Sequence, residues 1–318
     1  MLLSVIIPMY NAENYIRRCV ESLYQQNIID SDFEVIIIND GSIDQSYQQA
    51  CILSKEHANI ILIDKENEGQ SVARNIGISR AQGDYLIFVD SDDYLQSGQM
   101  AEAIKKCQEE QLDIYMMQMK VMRPDGSLPT ELRTWNFSEV EVFSGEYLLL
   151  HGYYPSSVCA KIFNRSFVEH SNIRFIKGII HEDSDFCWKL CALAGRIMFS
   201  NVWAYTYYYN SQSTDRKINR EKLMKSAFSN VVICSDLYTF SQSRHISVAL
   251  SIFFQKLVNS MYLSEFYKLA CNKDISFNDF IQFVKESKRY KVLPLHGCCK
   301  SGKARLGKIS INILSLLF

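Results

Sequence analysis

Three carboxylates fall within four residues in Asp90-Ser91-Asp92-Asp93, directly after the apolar run Tyr85-Leu86-Ile87-Phe88-Val89. Ionised side chains packed this closely repel one another. A divalent cation relieves the repulsion, and hard oxygen donors suit Mg²⁺ or Mn²⁺. Mg²⁺ is commonly held by one or two carboxylates together with substrate phosphates, so a phosphorylated ligand is the expected companion. A helix N-cap is the plainer use of such a residue, and Asp93 stands where it would cap a following helix. A cap needs one Asp; the second and third acids are left for a metal.

The elements that must hold these groups are written in two alternating periodicities. Residues 3–8 read as a short apolar strand, 14–26 as a helix, 34–38 as an unbroken apolar strand and 44–56 as a helix. Residues 59–63, 70–81 and 85–89 continue the pattern as strand, helix and strand, and such alternation predicts a parallel sheet covered by helices on both faces. Beyond residue 100 the spacing predicts a helix at 101–110, strands at 113–119, 157–164 and 196–209, and a helix at 183–194. Pro-Asp-Gly within 123–129 marks a turn. Three long helices follow at 221–240, 246–271 and 276–290, with a domain boundary near 215. The expected organisation is therefore 1–215, divided into halves 1–98 and 99–215, followed by a mainly helical region 216–318.

Ligands of open parallel α/β sheets bind outside the carboxyl ends of the strands. Those ends here are Pro8-Met9-Tyr10-Asn11, Asn39-Asp40-Gly41-Ser42, Asn67-Glu68-Gly69 and Asp90-Ser91-Asp92-Asp93, all polar, small or acidic. Strand ends are often polar because the chain must turn; four that converge on one edge point to a site.

Composition narrows the field. The 318 residues are 47% hydrophobic and 22% charged, with a formal net charge of −1, so neither a disordered chain nor a nucleic-acid-binding field is expected. No apolar run reaches the 18–20 residues of a membrane span, and the N-terminus lacks a basic segment before its apolar residues. The ten cysteines include no C-x-x-C pair, which disfavours a zinc ribbon and fits reduced thiols in a cytoplasmic protein. Gly297-x-x-x-x-Gly302-Lys303-Ala304 is close to a phosphate-binding loop, but Ala304 has no hydroxyl for Mg²⁺.

Ser4-Val5-Ile6-Ile7-Pro8-Met9-Tyr10-Asn11, Val35-Ile36-Ile37-Ile38-Asn39-Asp40-Gly41-Ser42, Asn67-Glu68-Gly69-x-Ser71-x-Ala73-Arg74-Asn75-x-Gly77 and Phe88-Val89-Asp90-Ser91-Asp92-Asp93 together resemble family 2 glycosyltransferases of the GT-A fold. They span nearly all of residues 1–95 in the family's order. The resemblance implies an α/β, Rossmann-like, mostly parallel sheet flanked by helices, with a helical C-terminal region. It implies a nucleotide-sugar donor, a UDP-sugar, with Pro8, Tyr10, Asn11 and Asp40 at the base and Arg74 reaching the nucleotide. Gly69 would let backbone approach the ligand, Asp90 and Ser91 would lie at the ribose or metal, and Asp92 would ligate Mn²⁺ or Mg²⁺ with Asp90 beside it.

Two later segments carry the resemblance further. Ser157-Val158-Cys159-Ala160-Lys161-Ile162-Phe163 resembles an acceptor-side segment in which Trp is usual where Cys159 stands. Gly178-Ile179-Ile180-His181-Glu182-Asp183-Ser184-Asp185 resembles the segment that supplies the catalytic base; Asp183 is the expected base and Glu182 its rival. Tyr207–Thr214 resembles the loop over the diphosphate, with Ser213 and Thr214 in place of the Arg that many relatives carry. The implied reaction is single-displacement, inverting transfer of a sugar to a hydroxyl of a glycan or lipid-linked acceptor. The alternatives are a nucleotidyltransferase acting on sugar phosphates, disfavoured because no Gly-rich basic loop follows the first strand, and a non-catalytic sugar-nucleotide-binding module. At the far end, Lys300, Lys303, Arg305 and Lys308 precede an apolar run to Phe318. Residues 299–318 thus read equally as a helix docked on the protein or as a peripheral anchor on the inner face of the plasma membrane.

Overall fold

The computed structural model describes residues 1–123, 135, 137–209 and 219–316. Ser213, Thr214, the 124–126 turn and the expected boundary near 215 lie outside the described residues. The first half runs β1 (Leu3–Met9), α1 (Ile16–Leu23), β2 (Phe33–Asp40), α2 (Ser46–Glu56), β3 (Ile60–Lys65), α3 (Gln70–Arg80) and β4 (Tyr85–Phe88). Next come β5 (Tyr94–Leu95), α4 (Met100–Glu109), β6 (Ile114–Met122), β7 (Val142–Phe143), α5 (Gly145–Leu150), β8 (Lys161–Asn164) and α6 (Arg165–Ser171). The chain continues through α7 (Glu182–Leu193), β9 (Ile197–Tyr208), α8 (Arg220–Ser241), α9 (Val248–Ala270), α10 (Phe277–Arg289) and α11 (Gly302–Ser315).

All strands join one sheet in the order β3-β2-β1-β4-β8-β6-β9-β5, with β7 paired to β9. β3, β2, β1 and β4 are mutually parallel, as the expected α/β class requires, while β8 runs antiparallel to both β4 and β6. β1 and β2 are buried at every residue, in register Val5↔Val35 through Met9↔Asn39, which is why both read as unbroken apolar runs. Helix α3 lies close on this sheet because Gly77 has no side chain: a Cβ there would stand 2.3 Å from Ile6 Cγ2.

The strand expected over 157–164 contracts to β8. Ala160 adopts φ +57°, the left-handed region, and the Val158 N–H turns to a side chain of α7 instead of a neighbouring strand. The C-terminal helices form as expected, and Asn219, Ser247, Ser276 and Ser301 each cap one with a side-chain oxygen. α8 packs on α7, α9 and α10, and α9 on α5, so the helical region rests directly against the second half of the sheet domain.

Candidate active site at the carboxyl edge of the sheet

The carboxyl end of β4 and the start of α7 meet around Arg74. This side chain leaves the second turn of α3 and is 1% exposed. Its Nη1 donates to Glu182 Oε1 and to Asp183 Oδ1, each at 2.6 Å, and its Nη2 donates to Asp90 Oδ1 at 2.9 Å. One guanidinium therefore binds the end of β4 to the first turn of α7, whose acids lie 108 and 109 residues beyond Arg74 in sequence. Burial works against the charge on Arg74, but Asp183, Asp90 and Glu182 outweigh it and hold its pKa above the ordinary value.

The two acids of α7 differ in environment. Glu182 is buried, its Oε2 has no hydrogen-bond partner, and burial followed by the charge of Asp183 pushes its pKa up to about 7. Asp183 keeps 22% of its side chain exposed and also accepts from the Val158 N–H at 3.3 Å. Asp185, in the same turn, points away and pairs with Lys189.

At the end of β4 the acids alternate. Asp90 and Asp92 are partly exposed; Ser91 and Asp93 are buried. Asp93 caps no helix, because β5 and not a helix follows it. Its carboxylate instead accepts from the Tyr205 hydroxyl at 2.6 Å and from the Tyr208 N–H at 2.8 Å. The same Tyr205 oxygen accepts from the Asp90 N–H at 3.1 Å, so one hydroxyl of β9 pins both ends of the acidic turn. Arg18 braces it from α1, donating to the Asp92 carbonyl at 2.7 Å with its guanidinium over the Tyr208 ring.

The first two loops are joined as well. Asn11, at φ +50°, accepts through Oδ1 from the Ile43 N–H, and its own N–H donates to Ser42 Oγ, both at 3.0 Å. Asp40 faces the protein: its carboxylate accepts from Lys65 and from the N–H groups of Glu68 and Gly69. Pro8 is buried within β1, whereas Tyr10 is 47% exposed at the strand's end.

A family model, glycosyl transferase family 2, matches residues 4–170. The chain belongs to this family. The uncharacterised glycosyltransferase YibD of Escherichia coli is 32% identical over 219 residues, 67% of this chain and 63% of YibD. The poly(ribitol-phosphate) beta-glucosyltransferase of Bacillus spizizenii is 30% identical, over 66% of this chain and 32% of its own length. The chain thus spans less than two thirds of these curated relatives. The crystal structure of Staphylococcus aureus TarS in complex with UDP-GlcNAc superposes with a TM-score of 0.71 at 21% identity, covering 99% of this chain and 90% of that one. That TarS chain comprises residues 1–349, and the likeness shows the GT-A fold followed by a helical region like the one seen here.

Within this family 2 chain the carboxylates suit a divalent cation. Asp92 is pushed up to about 6, first by burial and then by the charge of Asp90, with Arg18 acting in the opposite direction. Asp90, Asp93 and Cys159 bring ligand atoms within 4.8 Å of one another, with the Asp93 oxygens engaged by Tyr205 and Tyr208 and Asp90 Oδ1 by Arg74; Asp92, partly exposed, lies outside that group. Cys159 itself is buried, with Sγ 3.6 Å from Asp90 Oδ2. Gly69 stands at φ +89° at the start of α3, a conformation that favours glycine, and a Cβ there would meet no protein atom within 4 Å. Tyr205 and Arg18 are side chains of this centre that sequence patterns do not single out, because each acts through contacts set by tertiary packing.

Proposed function

We propose that this chain transfers a sugar from a UDP-sugar to a hydroxyl of a glycan acceptor, with inversion at the anomeric carbon. The observation that carries the reading is the Arg74 junction, which brings a donor-side acid, Asp90, and two acids of α7 to one edge of the sheet. TarS, which matches in fold over the whole chain, is described in complex with UDP-GlcNAc, and the Bacillus spizizenii relative is named for transfer to poly(ribitol-phosphate). Both favour a nucleotide-sugar donor and a hydroxyl-rich acceptor.

In this reading Asp183 takes the proton of the acceptor hydroxyl. Its carboxylate is the accessible one of the α7 pair, and Arg74 orients it. The acceptor oxygen then attacks the anomeric carbon from the face opposite UDP, the carbon–oxygen bond to the diphosphate breaks, and UDP departs. Glu182, buried on the same guanidinium, positions Arg74. Tyr10 offers an exposed ring at the base, and Asp40 shapes the Asn67–Gly69 loop around it. Asp90 and Asp92 would hold Mn²⁺ or Mg²⁺, which, when bound, neutralises negative charge on the diphosphate.

The test is a panel of UDP-sugars scored for UDP release with Mn²⁺, Mg²⁺ and excess EDTA, with and without ribitol-phosphate polymers or other glycans as acceptor. Transfer to an acceptor that stops in EDTA, with a product of inverted anomeric configuration, supports the reading. Tight UDP-sugar binding without release under any condition would favour a sugar-nucleotide-binding module instead.

A further inference from the structure

Helix α11 has two unlike faces. One packs on α9 through Gly307, Ile311 and Ser315, which are buried, and Gly307 is small enough to let the helices close: a Cβ there would already touch Leu263 and Tyr267 at 3.3 Å. The opposite face carries Leu306, Ile309, Ile313 and Leu316 at spacings of three, four and three residues, which at about 100° per residue align in one stripe. These four side chains are 67%, 46%, 60% and 81% exposed. A helix of a water-soluble surface places polar residues on its outer face; this one places large aliphatic residues there.

The borders of the stripe are basic. Lys303 and Arg305, both exposed, project on opposite sides of it, while Lys300 reaches Tyr154 and Lys308 donates to the Gly297 carbonyl. Residues 299–318 contain four cations and no Asp or Glu. Beside the stripe, Leu314 and the exposed Phe277 rim an apolar cavity of about 190 Å³, lined further by Phe266, Phe280, Val284 and Ile311. Among the described residues no helix is long and apolar enough to cross a membrane.

We propose that the outward face of α11 docks on an anionic lipid surface, with Leu306, Ile309, Ile313 and Leu316 in the acyl boundary and Lys303 and Arg305 among the headgroups. Charge decides between occupants. A second copy of the chain would bring this acid-free, basic helix against itself and oppose like charges across a two-fold axis. A phosphatidylglycerol surface supplies negative charge at the depth where both cations emerge and apolar chains where the stripe enters. The two expectations for residues 299–318 thereby merge: the helix docks on the protein with one face and is free to meet lipid with the other.

The experiment is vesicle co-sedimentation of the full chain, read without turnover, so that it stands or fails separately from the sugar-transfer reading. The protein should partition onto phosphatidylglycerol-containing vesicles at least about tenfold more strongly than onto phosphatidylcholine alone, and raised salt should release much of it. Ile309→Asn with Ile313→Asn should lower the partition by about tenfold or more, because each removes an inserted aliphatic side chain. Lys303→Glu with Arg305→Glu, which leaves every apolar contact in place, should lower it about 25-fold or more at low salt, about fivefold for each cation lost. All four substitutions lie on exposed positions, and an unchanged thermal melt verifies the fold. Equal binding of wild type and either double variant overturns the proposal, as does absence of wild-type binding to the anionic vesicles. A wild-type dimer in sedimentation velocity that the Ile variants convert to monomer, without vesicle binding, assigns the face to a second copy and overturns it too.

Discussion

Arg74→Met is the sharpest test of the central junction. The substitution keeps the apolar stem and removes a guanidinium that is 1% exposed and bonded to three carboxylates at 2.6–2.9 Å. Breaking a buried pair by removing one partner costs about 3–5 kcal/mol, since the other charge is left uncompensated. A domain stabilised by about 5–15 kcal/mol should survive that loss, visibly weakened. The pH dependence follows from Glu182, whose folded pKa is already raised from 4.5 to about 7 with Arg74 opposing the rise. Without Arg74 it climbs further. A folded pKa above the unfolded one means stability that is full below the unfolded value and lost as pH increases through the folded value. The penalty should therefore be larger at pH 8 than at pH 5, by about 1.4 kcal/mol for each further unit of displacement. Adding Glu182→Gln should recover about 1–3 kcal/mol at pH 8, because the two side chains are coupled. Urea unfolding followed by tryptophan fluorescence at both pH values measures all three. A penalty below about 1 kcal/mol, or one that is equal at the two pH values and additive with Glu182→Gln, refutes the claim that this arginine neutralises the α7 acids.

Three other substitutions probe the parts around it. Asp92→Asn should abolish transfer with an unchanged melting curve, as ligand charge is lost and volume kept; UDP release that persists in EDTA would defeat the metal assignment. Asp183→Asn should lower kcat by about 10²–10⁴-fold and leave UDP-sugar binding near wild type. If Glu182→Gln is the inactive variant and Asp183→Asn turns over, the base is the buried acid and not the accessible one. Tyr205→Phe removes the hydroxyl shared by Asp93 and the Asp90 N–H, and should cost about 1–3 kcal/mol in urea unfolding while weakening Mn²⁺ binding by calorimetry.

The parts of this fold that are legible in sequence are those whose residues answer to local rules. β1, β2 and β4 are buried on both faces, so their apolar runs announce them, and α8, α9 and α10 carry side-chain caps where their periodicity begins. The two-residue strands β5 and β7 carry no such signal; they exist because β9 offers them partners. Asp93 is the instructive case. Three neighbouring acids look alike in a string of letters, yet the turn closed by the Asp93 N–H on the Asp90 carbonyl at 2.9 Å sends Asp93 inward to Tyr205 and leaves Asp90 and Asp92 partly exposed.

The same distinction governs the chemistry. Which residues reach the carboxyl edge is written near the strand ends, because a parallel sheet sends all its carboxyl ends to one edge. How those residues are charged is not, because Arg74 meets Glu182 and Asp183 only after the chain has added β4 through α6 between them. That long separation has a physical consequence for the enzyme. The donor half and the α7 acids are joined through a guanidinium with three acceptors, so a shift of α7 that releases Asp183 must leave Arg74 on Asp90 and Glu182 alone. A base that moves toward an acceptor hydroxyl would thus be exchanged for, and not added to, an existing ion pair. In such an exchange Arg74, still held by Asp90 and Glu182, would keep the end of β4 fixed.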